Sequence, residues 1–358
     1  METTTLQPKT NGKQTAPHLT PEHIMQIGMG FWASKTLLAA IKFELFTILA
    51  SSKLTGEEIK NKIGLHARSL YDFLDTLVAL GFLQKEGLGE TAEYCNTPET
   101  DFFLDKNKPP YIGGILEMGN DRLYKYWGDL EEALTTGEPQ NEIKYAATAI
   151  ENPFDELYKN PDKLRGFLNA MTGVQMGAFM SFAKQFDFSN YKTLTDAGGS
   201  IGALSTQVAL NQPHMHCTTL DLPPVQPLAE EFISKHHLSG RIKAKSGDFF
   251  KEALPHSDVI VMGNILHDWD EKDKLYLMKQ AYDALPEGGA FVCIESIIDN
   301  ERSKNAFGLM MSLNMLIETK GGFDFTFNDF DEWAHQVGFT KTEWLPLAGP
   351  TSAAIAYK

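Results

Sequence analysis

The chain has 358 residues, of which 42% are hydrophobic and 22% are charged; this is the composition of a globular protein long enough for two domains. Its formal net charge is -15. Because affinity for DNA depends largely on basic residues that neutralise phosphates, this charge argues against nucleic acid as a partner.

The first segment, residues 1–19, is predicted to be a disordered tail, because it is polar and lacks the apolar core of a signal peptide or membrane anchor. No apolar run elsewhere has the length expected of a transmembrane helix, so we expect no membrane partner. The three cysteines, Cys95, Cys217 and Cys293, are far apart and odd in number. This favours a reducing, cytoplasmic location without structural disulfides.

Residues 20–105 have the pattern of helices followed by a short hairpin. Apolar residues recur at helical spacing across residues 31–50. Thr55 precedes Glu58 by three positions, which is the signature of a capping box. A second helical stretch stops at Gly81, and two short runs around a glycine-rich turn follow it. This order predicts a winged-helix-like module.

A winged helix has two interpretations, DNA binding and a packing or dimerisation role. The candidate second helix carries Asp72 and Asp75, whose charges would repel phosphate. Helix 31–50 also has more apolar surface than one small module would bury. We therefore expect a dimerisation domain in a homodimer. A ligand-sensing DNA-binding regulator is the alternative from a different functional class.

The rest of the chain divides into a helix-rich linker, residues 106–188, and an α/β domain, residues 189–358. In the α/β domain short β-rich runs alternate with helical stretches, which predicts a mostly parallel sheet with helices on both faces. A tight turn joins the last two runs, so they are antiparallel. The seven runs are TLTDAGG, MHCTTLDLP, RIKAKSGDFF, HSDVIVMGNIL, AFVCIESII, TKTEWLPL and TSAAIAYK.

A glycine-rich segment from Asp196 to Gly202 follows the first β run and opens a helix. Glycines let a ligand approach the backbone closely, and a helix N-terminus offers free N–H groups. The segment fails the dinucleotide fingerprint G-x-G-x-x-G, because Ser200 and Ala203 stand where glycines are required. Taken alone, it is also consistent with a simple tight turn between a strand and a helix.

Acidic residues follow the next two β runs. Asp221 ends the second run and is placed to accept hydrogen bonds from the two hydroxyls of a ribose. Asp248 and Phe249 end the third run, where they offer an acceptor for an adenine amine and an apolar ring. Ligands of open α/β sheets bind at the carboxyl ends of the strands. The set therefore predicts an adenosine-containing ligand without a diphosphate, since the glycine loop carries no basic residue.

The fourth and fifth β runs end in His267 and Glu295. Both lie at the same edge of the predicted sheet. A carboxylate that follows apolar residues is costly unless it is paired, and an imidazole is a natural partner. This pair predicts a histidine whose tautomer and basicity are set by a carboxylate, which suits a general base.

These motifs together resemble the S-adenosylmethionine-dependent small-molecule O-methyltransferases, which include caffeic acid, hydroxyindole (acetylserotonin) and bacterial polyketide-tailoring enzymes. The similarity extends from about residue 22 to residue 358. The segments that carry it are GFWASKTLLAAIKFELF, YWGDLEEALTTGEP, FLNAM, DAGGSIG, LDLP, GDFF, LHDWD, the run ending in IES, and GGFDFT.

The resemblance implies a class I methyltransferase fold: a doubly wound seven-stranded sheet with an antiparallel last strand, preceded by a helical winged-helix-like dimerisation domain. It implies methylation of a hydroxyl, most readily a phenol, on a small aromatic or polyketide-like acceptor. It also implies that S-adenosylmethionine is the cofactor and that no metal is required. N-methylation and a divergent, non-methylating use of the cofactor are the enzymatic alternatives.

The resemblance also assigns site residues position by position. It makes His267 the general base, flanked by Glu295 and Asp324. The residues assigned to the cofactor are Asp196, Gly198, Gly199, Asp221, Leu222, Asp248, Phe249 and Asn264. The residues assigned to the acceptor pocket, which ordinary core packing would also explain, are Met118, Phe167, Met171, Met311 and Met315.

This chain departs from the family pattern at three places. Ser200 replaces the third glycine of the loop D-x-G-G-G-x-G. Gly263 and Asn264 stand where the family often carries a basic residue. The usual G-G-x-E-R-T is Gly-Gly-Phe-Asp-Phe-Thr here. Asp324 is therefore one methylene shorter than the usual glutamate, and a phenylalanine precedes and follows it in the sequence.

Overall fold

The computed structural model describes residues 19–108, 110–145 and 157–358. Except for Leu19, the predicted disordered tail lies outside the described residues. The first described part contains three short strands, β1 (Leu54–Thr55), β2 (Leu83–Glu86) and β3 (Glu93–Asn96). Its α-helices are Glu22–Gly28, Gly30–Lys42, Leu45–Ile48, Gly56–Ile63, Leu70–Ala79 and Pro98–Phe103.

The N-terminal part has the predicted order of helices followed by a hairpin. The predicted capping box is present, because the Glu58 N–H donates to Thr55 Oγ1 and the Thr55 N–H donates to Glu58 Oε2. Strands β2 and β3 pair antiparallel, and β1 adds to β3. Asp75 accepts hydrogen bonds from Lys85 and from the Tyr94 hydroxyl. This aspartate, predicted to repel phosphate, therefore also ties its helix to the hairpin.

The predicted helix 31–50 is shorter than expected. It begins at Gly30 and ends at Lys42, because Glu44 adopts a left-handed φ of 55° that no helix can continue. The helical stretch Glu22–Lys42 has 21 residues. Within it, an 18-residue segment has a mean hydropathy of 1.2, and only 17% of that segment is buried. The expectation that no apolar run is long enough to span a bilayer is therefore wrong for this stretch, judged by length and composition alone.

The linker and the α/β domain supply the remaining elements. The α-helices are Gly113–Met118, Tyr124–Tyr126, Leu130–Thr136, Glu142–Tyr145, Pro161–Gln185, Ala203–Asn211, Gln226–Lys235, Glu271–Ala284, Ala306–Glu318 and Phe327–Val337. The strands are β4 (Thr193–Ala197), β5 (His216–Asp221), β6 (Ile242–Ser246), β7 (Val259–Gly263), β8 (Ala290–Glu295), β9 (Lys341–Pro346) and β10 (Ser352–Tyr357).

The seven strands form one sheet in the order β6-β5-β4-β7-β8-β10-β9. Pairs from β6 to β8 are parallel, whereas β10 is antiparallel to both of its neighbours. Alternate side chains of β7 enter two separate cores: Val259 and Val261 pack on one face, Ile260 and Met262 on the other. The predicted doubly wound sheet with an antiparallel last strand is confirmed. The exact domain boundaries stay predictions.

Candidate active site

The glycine loop is held against the neighbouring strand by its backbone. Gly198 has a left-handed φ of 74°, and its N–H donates to the carbonyl of Leu220 at 2.8 Å. A Cβ at Gly198 would lie 2.3 Å from Ile265 Cδ1, and one at Gly199 would lie 2.3 Å from Thr219 Oγ1. Both positions therefore require glycine, since either side chain would force the loop away from the sheet.

The family's third glycine is Ser200 here, and it keeps the conformation of a glycine. Its φ is 51°, in the left-handed region that costs a residue with a side chain roughly 1 kcal/mol or more. The Ser200 N–H donates to Asp221 Oδ2 at 2.8 Å, and the Leu222 N–H donates to Asp221 Oδ1 at 2.7 Å. Asp221 thus holds the loop in place. Burial raises the pKa of this carboxyl.

Asp196 lies beneath the loop. Its side chain is buried, and it accepts a hydrogen bond from Ser205 Oγ at 3.3 Å. Burial raises its pKa to about 7. The Asp196 side chain packs against the loop, since a Cβ at Gly199 would lie 2.6 Å from Asp196 Cγ. Its contact with the cofactor stays a prediction.

The next predicted cofactor residues lie beyond β6 and β7. Asp248 Oδ1 accepts the Phe250 N–H at 3.0 Å, and an ion pair with Lys251 at 2.8 Å lowers the pKa of Asp248. The Phe249 ring lies beside the glycine loop, 3.7 Å from where a Gly198 Cβ would stand. Asn264 has a left-handed φ of 52°, and its N–H donates to the Ile294 carbonyl at 3.0 Å.

Buried polar atoms without a protein partner face this region. Among the described residues, Ser200 Oγ and Gln175 Oε1 are buried and accept or donate no hydrogen bond. Gln175 Oε1 lies close to Gly263, where the family often has a basic side chain. Unpaired buried polar atoms are costly unless a ligand satisfies them. Together with the carboxylates at the strand ends, they fit a polar nucleoside-containing cofactor.

His267 lies in a single 3-10 turn, Leu266–Asp268, that follows β7. The residue is 6% exposed. Its Nδ1 is 3.4 Å from Glu295 Oε2 and 3.4 Å from Asp324 Oδ1. The structure therefore brings all three predicted catalytic residues together, with both acids at the same nitrogen.

Electrostatics make this cluster strongly basic. Burial by itself would lower the pKa of His267, but Glu295, Asp268 and Asp324 outweigh it and raise the pKa to about 10. Burial raises the pKa of Glu295 to about 7, against the opposing effect of His267.

Two neighbours of the cluster were missed by the sequence analysis. Asp268 Oδ1 lies 3.6 Å from His267 Nε2, on the side of the ring opposite the other acids. Lys274 is fully buried in helix Glu271–Ala284, behind the turn that carries His267. Asp268 could have been identified from the HDW motif, because it directly follows His267. Lys274 could not, because a lysine in a helix rich in charged residues is usually exposed.

The predicted pocket residues lie on three helices: Met118 on Gly113–Met118, Phe167 and Met171 on Pro161–Gln185, and Met311 and Met315 on Ala306–Glu318. Helix Pro161–Gln185 packs on Gly113–Met118, and helix Ala306–Glu318 packs on the turn of His267. Phe167 packs against a small core that contains Ile201 of the glycine loop. Helices Pro161–Gln185 and Ala306–Glu318 thus contact the glycine loop and the His267 turn, and Gly113–Met118 packs on the first of them. The role of these side chains stays a prediction.

The spacing of the cluster is also compatible with a cation. One donor atom from each of His267, Glu295 and Asp324 lies within 4.8 Å of the other two. A hard cation prefers carboxylate oxygens, and a transition metal accepts a mixed set. Metal independence therefore stays a prediction that needs its own test.

Comparisons with known proteins identify the family to which this chain belongs. The O-methyltransferase domain profile matches residues 127–340, and the O-methyltransferase dimerisation domain profile matches residues 25–106. The tetracenomycin polyketide synthesis 8-O-methyl transferase TcmO of Streptomyces glaucescens is 35% identical over 338 residues, covering 94% of this chain and 97% of that protein. The N,N-dimethyltransferase OxyT of Streptomyces rimosus is 31% identical over 284 residues, covering 79% and 80%.

The fold agrees with these sequence relatives. The crystal structure of human N-acetylserotonin methyltransferase in complex with S-adenosylmethionine superposes with a TM-score of 0.87 at 26% identity, covering 97% of this chain and 99% of that one. The predicted fold, enzyme class and cofactor are thereby confirmed. This chain belongs to the S-adenosylmethionine-dependent O-methyltransferase family.

Proposed function

We propose that this chain transfers a methyl group from S-adenosylmethionine to a hydroxyl, preferably phenolic, of a small aromatic or polyketide-like acceptor, with His267 as general base and without a metal. The observation that carries the proposal is the placement of Nδ1 at 3.4 Å from both Glu295 and Asp324. An imidazole held by carboxylates on one nitrogen presents its other nitrogen to an acceptor with increased basicity.

The proton transfer follows from this arrangement. As the acceptor oxygen is methylated, its proton passes to His267 Nε2, and the positive charge that forms on the ring faces Glu295 and Asp324, each 3.4 Å from Nδ1. A phenol has a pKa of ~10. The surrounding acids raise the pKa of His267 to about 10, close to that of the phenol, and only the neutral form of the ring accepts the proton. Asp268, 3.6 Å from Nε2, stabilises the imidazolium that forms.

The cofactor residues act by binding and alignment. When bound, S-adenosylmethionine supplies an electrophilic methyl group on a sulfonium. Gly198 and Gly199 let the loop backbone approach it, Asp221 accepts from ribose hydroxyls, and Phe249 covers the adenine. Holding the acceptor in line with the cofactor contributes about 7–11 kcal/mol in well-oriented systems.

An acceptor screen tests the proposal. Purified protein is incubated with methyl-labelled cofactor and a panel of phenols, hydroxyindoles, hydroxyquinones and aromatic amines. Label in phenolic methyl ethers, and none in amines, supports the proposal. The 31% identity to an N,N-dimethyltransferase makes N-methylation the second candidate, and label confined to the amines would favour it. A cytoplasmic location stays a prediction.

A homodimer is the proposed assembly. Apolar side chains on helical stretch Glu22–Lys42 are exposed in the single chain, among them Ile24 at 73%, Ile27 at 69% and Trp32 at 63%. Water-exposed apolar patches of this kind mark interaction surfaces. The stretch overlaps the matched dimerisation domain, so a second copy of the chain is the partner that we propose for it.

A further inference from the structure

The fully buried Lys274 connects the two segments that carry His267 and Asp324. Its Nζ donates a hydrogen bond to the Trp269 carbonyl, which directly follows the His267 turn. The same Nζ lies 3.5 Å from the centre of the Phe323 ring, next to Asp324. One ammonium group therefore contacts both segments from behind.

The surroundings of Lys274 are unusual for a lysine. Its residue exposure is 0%, and the rings of Phe325 and Trp333 lie 5.8 and 6.0 Å from Nζ. A buried ammonium costs several kcal/mol unless its environment compensates it. Aromatic faces provide part of this compensation through cation–π attraction.

The remaining compensation comes from the catalytic acids. Burial lowers the pKa of Lys274 to about 8, while Glu295, Asp324, Cys293 and Asp268 oppose that decrease. Three of these groups, Glu295, Asp324 and Asp268, surround His267. The attraction is mutual, so the ammonium also favours the ionised form of the acids.

We propose that Lys274 is a positioning residue of the acid–base cluster: its ammonium group fixes the His267 turn against the Asp324 segment, and its charge keeps the surrounding carboxylates ionised. The proposal rests on the proposed role of His267 as base. It also gives a physical account of the sequence departure GGFDFT. Here Phe323 and Phe325 form an aromatic wall, and Lys274 on helix Glu271–Ala284 supplies the positive charge that the arginine of G-G-x-E-R-T carries elsewhere in the family.

The test uses variants that separate charge from hydrogen bonding. Lys274→Met removes both, Lys274→Gln retains a donor for the Trp269 carbonyl, and Lys274→Arg retains both. Lys279→Met is the matched control, because Lys279 is on the same helix but exposed and paired with Asp283. Removing one partner from a set of buried opposite charges destabilises a protein, so thermal unfolding of each variant is measured first; Lys274→Gln and Lys274→Arg carry the comparison if Lys274→Met does not fold.

The first readout is turnover against pH with saturating cofactor. In the Met and Gln variants we expect turnover at pH 7 to fall at least ~10-fold. The acidic limb of the profile should move up by roughly one to two pH units, the size expected for losing a unit charge several ångströms away. Most activity returns at pH 9. The Arg variant and Lys279→Met keep the wild-type limb, and cofactor Kd changes less than twofold throughout.

The second readout is independent of methyl transfer. The carboxyl carbon of Glu295, labelled with ¹³C and assigned with Glu295→Gln, is titrated by NMR in wild type and in Lys274→Gln. We expect its midpoint to move to higher pH in the variant. An unchanged midpoint, or a turnover loss that is equal at all pH values, means that Lys274 is only structural. If wild type methylates nothing but the midpoint still moves, the proposed function fails and the electrostatic role of Lys274 stands.

Discussion

Glu295 contacts His267 twice, once through the ring and once through the backbone. Its Oε2 lies 3.4 Å from Nδ1, while its Oε1 accepts the His267 N–H at 3.4 Å and the Ile265 N–H at 3.1 Å. A single carboxylate at the end of β8 therefore sets both the path of the turn and the charge facing the imidazole. Its removal has consequences for both.

Turnover should depend on the ionisation of Glu295. Since its pKa is raised to about 7, the carboxyl is protonated below that pH and ionised above it. We expect turnover to rise between pH 6 and 8 as Glu295 ionises, and to rise further toward pH 10, because only the neutral His267 ring can accept a proton. Glu295→Gln should abolish the rise between pH 6 and 8 and lower turnover above it, and the exposed Glu301→Gln should leave both unchanged. A rise that persists in Glu295→Gln assigns the titration to another group.

His267→Gln should reduce turnover by a factor of ~10²–10⁴, the usual contribution of a general base. Cofactor affinity should be nearly unchanged, because no proposed cofactor contact uses the ring. The loss should shrink for a more acidic phenol or at higher pH, where the acceptor ionises without help. The measurement is turnover against pH with two phenols of different acidity. Near-wild-type rates with the less acidic phenol at neutral pH would exclude His267 as the base.

Cofactor affinity should depend on Asp221. Asp221→Ala removes the ribose acceptor and frees the Ser200 N–H, so we expect a loss of ~1.5–3 kcal/mol, or roughly 10- to 150-fold in Kd by calorimetry. Asp221→Asn is the more conservative variant. Its side-chain NH2 would face a backbone N–H donor, that of Ser200 or Leu222, so one of these two hydrogen bonds is lost. Binding of NADH without any response to S-adenosylmethionine would contradict the site assignment.

Activity should survive treatment with EDTA. The proposed base is a side chain, and alignment with the cofactor needs no Lewis acid. The test is needed because His267, Glu295 and Asp324 have donor atoms within 4.8 Å of one another, a spacing that is compatible with a bound cation. Turnover is measured after dialysis against chelator, with and without added Mg²⁺ or Zn²⁺. Activity lost to chelator and restored by Mg²⁺ would overturn the metal-independent mechanism.

The apolar face of stretch Glu22–Lys42 should hold two copies together. Trp32→Glu places a charge in that face and should shift the mass measured by light scattering at micromolar concentration from dimer toward monomer. Leu88→Glu is the control, since Leu88 is 89% exposed on the hairpin. A wild-type monomer contradicts the dimer. Wild type that is monomeric and sediments with lipid vesicles would instead assign the stretch to a membrane surface.

The site residues at the sheet edge could mostly be predicted, because each one is placed by the strand that directly precedes it in the sequence. Asp221, Asp248, His267 and Glu295 each follow a β run, and parallel strands necessarily bring such residues to one edge. Asp324 could be placed only through the family motif, because it stands in a segment without periodic pattern. Its carboxylate lies at the same 3.4 Å from Nδ1 as that of Glu295, although its side chain is one methylene shorter.

Other features depend on tertiary packing that no local pattern records. Lys274 lies in EKDKLYLMKQ, which has the polar composition of a solvated helix, and only the aromatic wall of Phe323 and Phe325 reveals its burial. The end of helix Gly30–Lys42 depends on one backbone angle at Glu44. Its apolar pattern continues through that break, so spacing alone predicted one longer helix.

The position of β10 affects how the chain folds. This strand follows β9 in the chain but lies between β8 and β9, and its Ser352 pairs with Glu295. Strand β9 pairs with β10 and not with β8, so the hairpin of β9 and β10 joins the sheet through β10. Pairings between strands distant in sequence form slowly. The carboxylate that sets the basicity of His267 is therefore expected to become ordered late, after the cofactor edge formed by β4, β5 and β6 is already assembled.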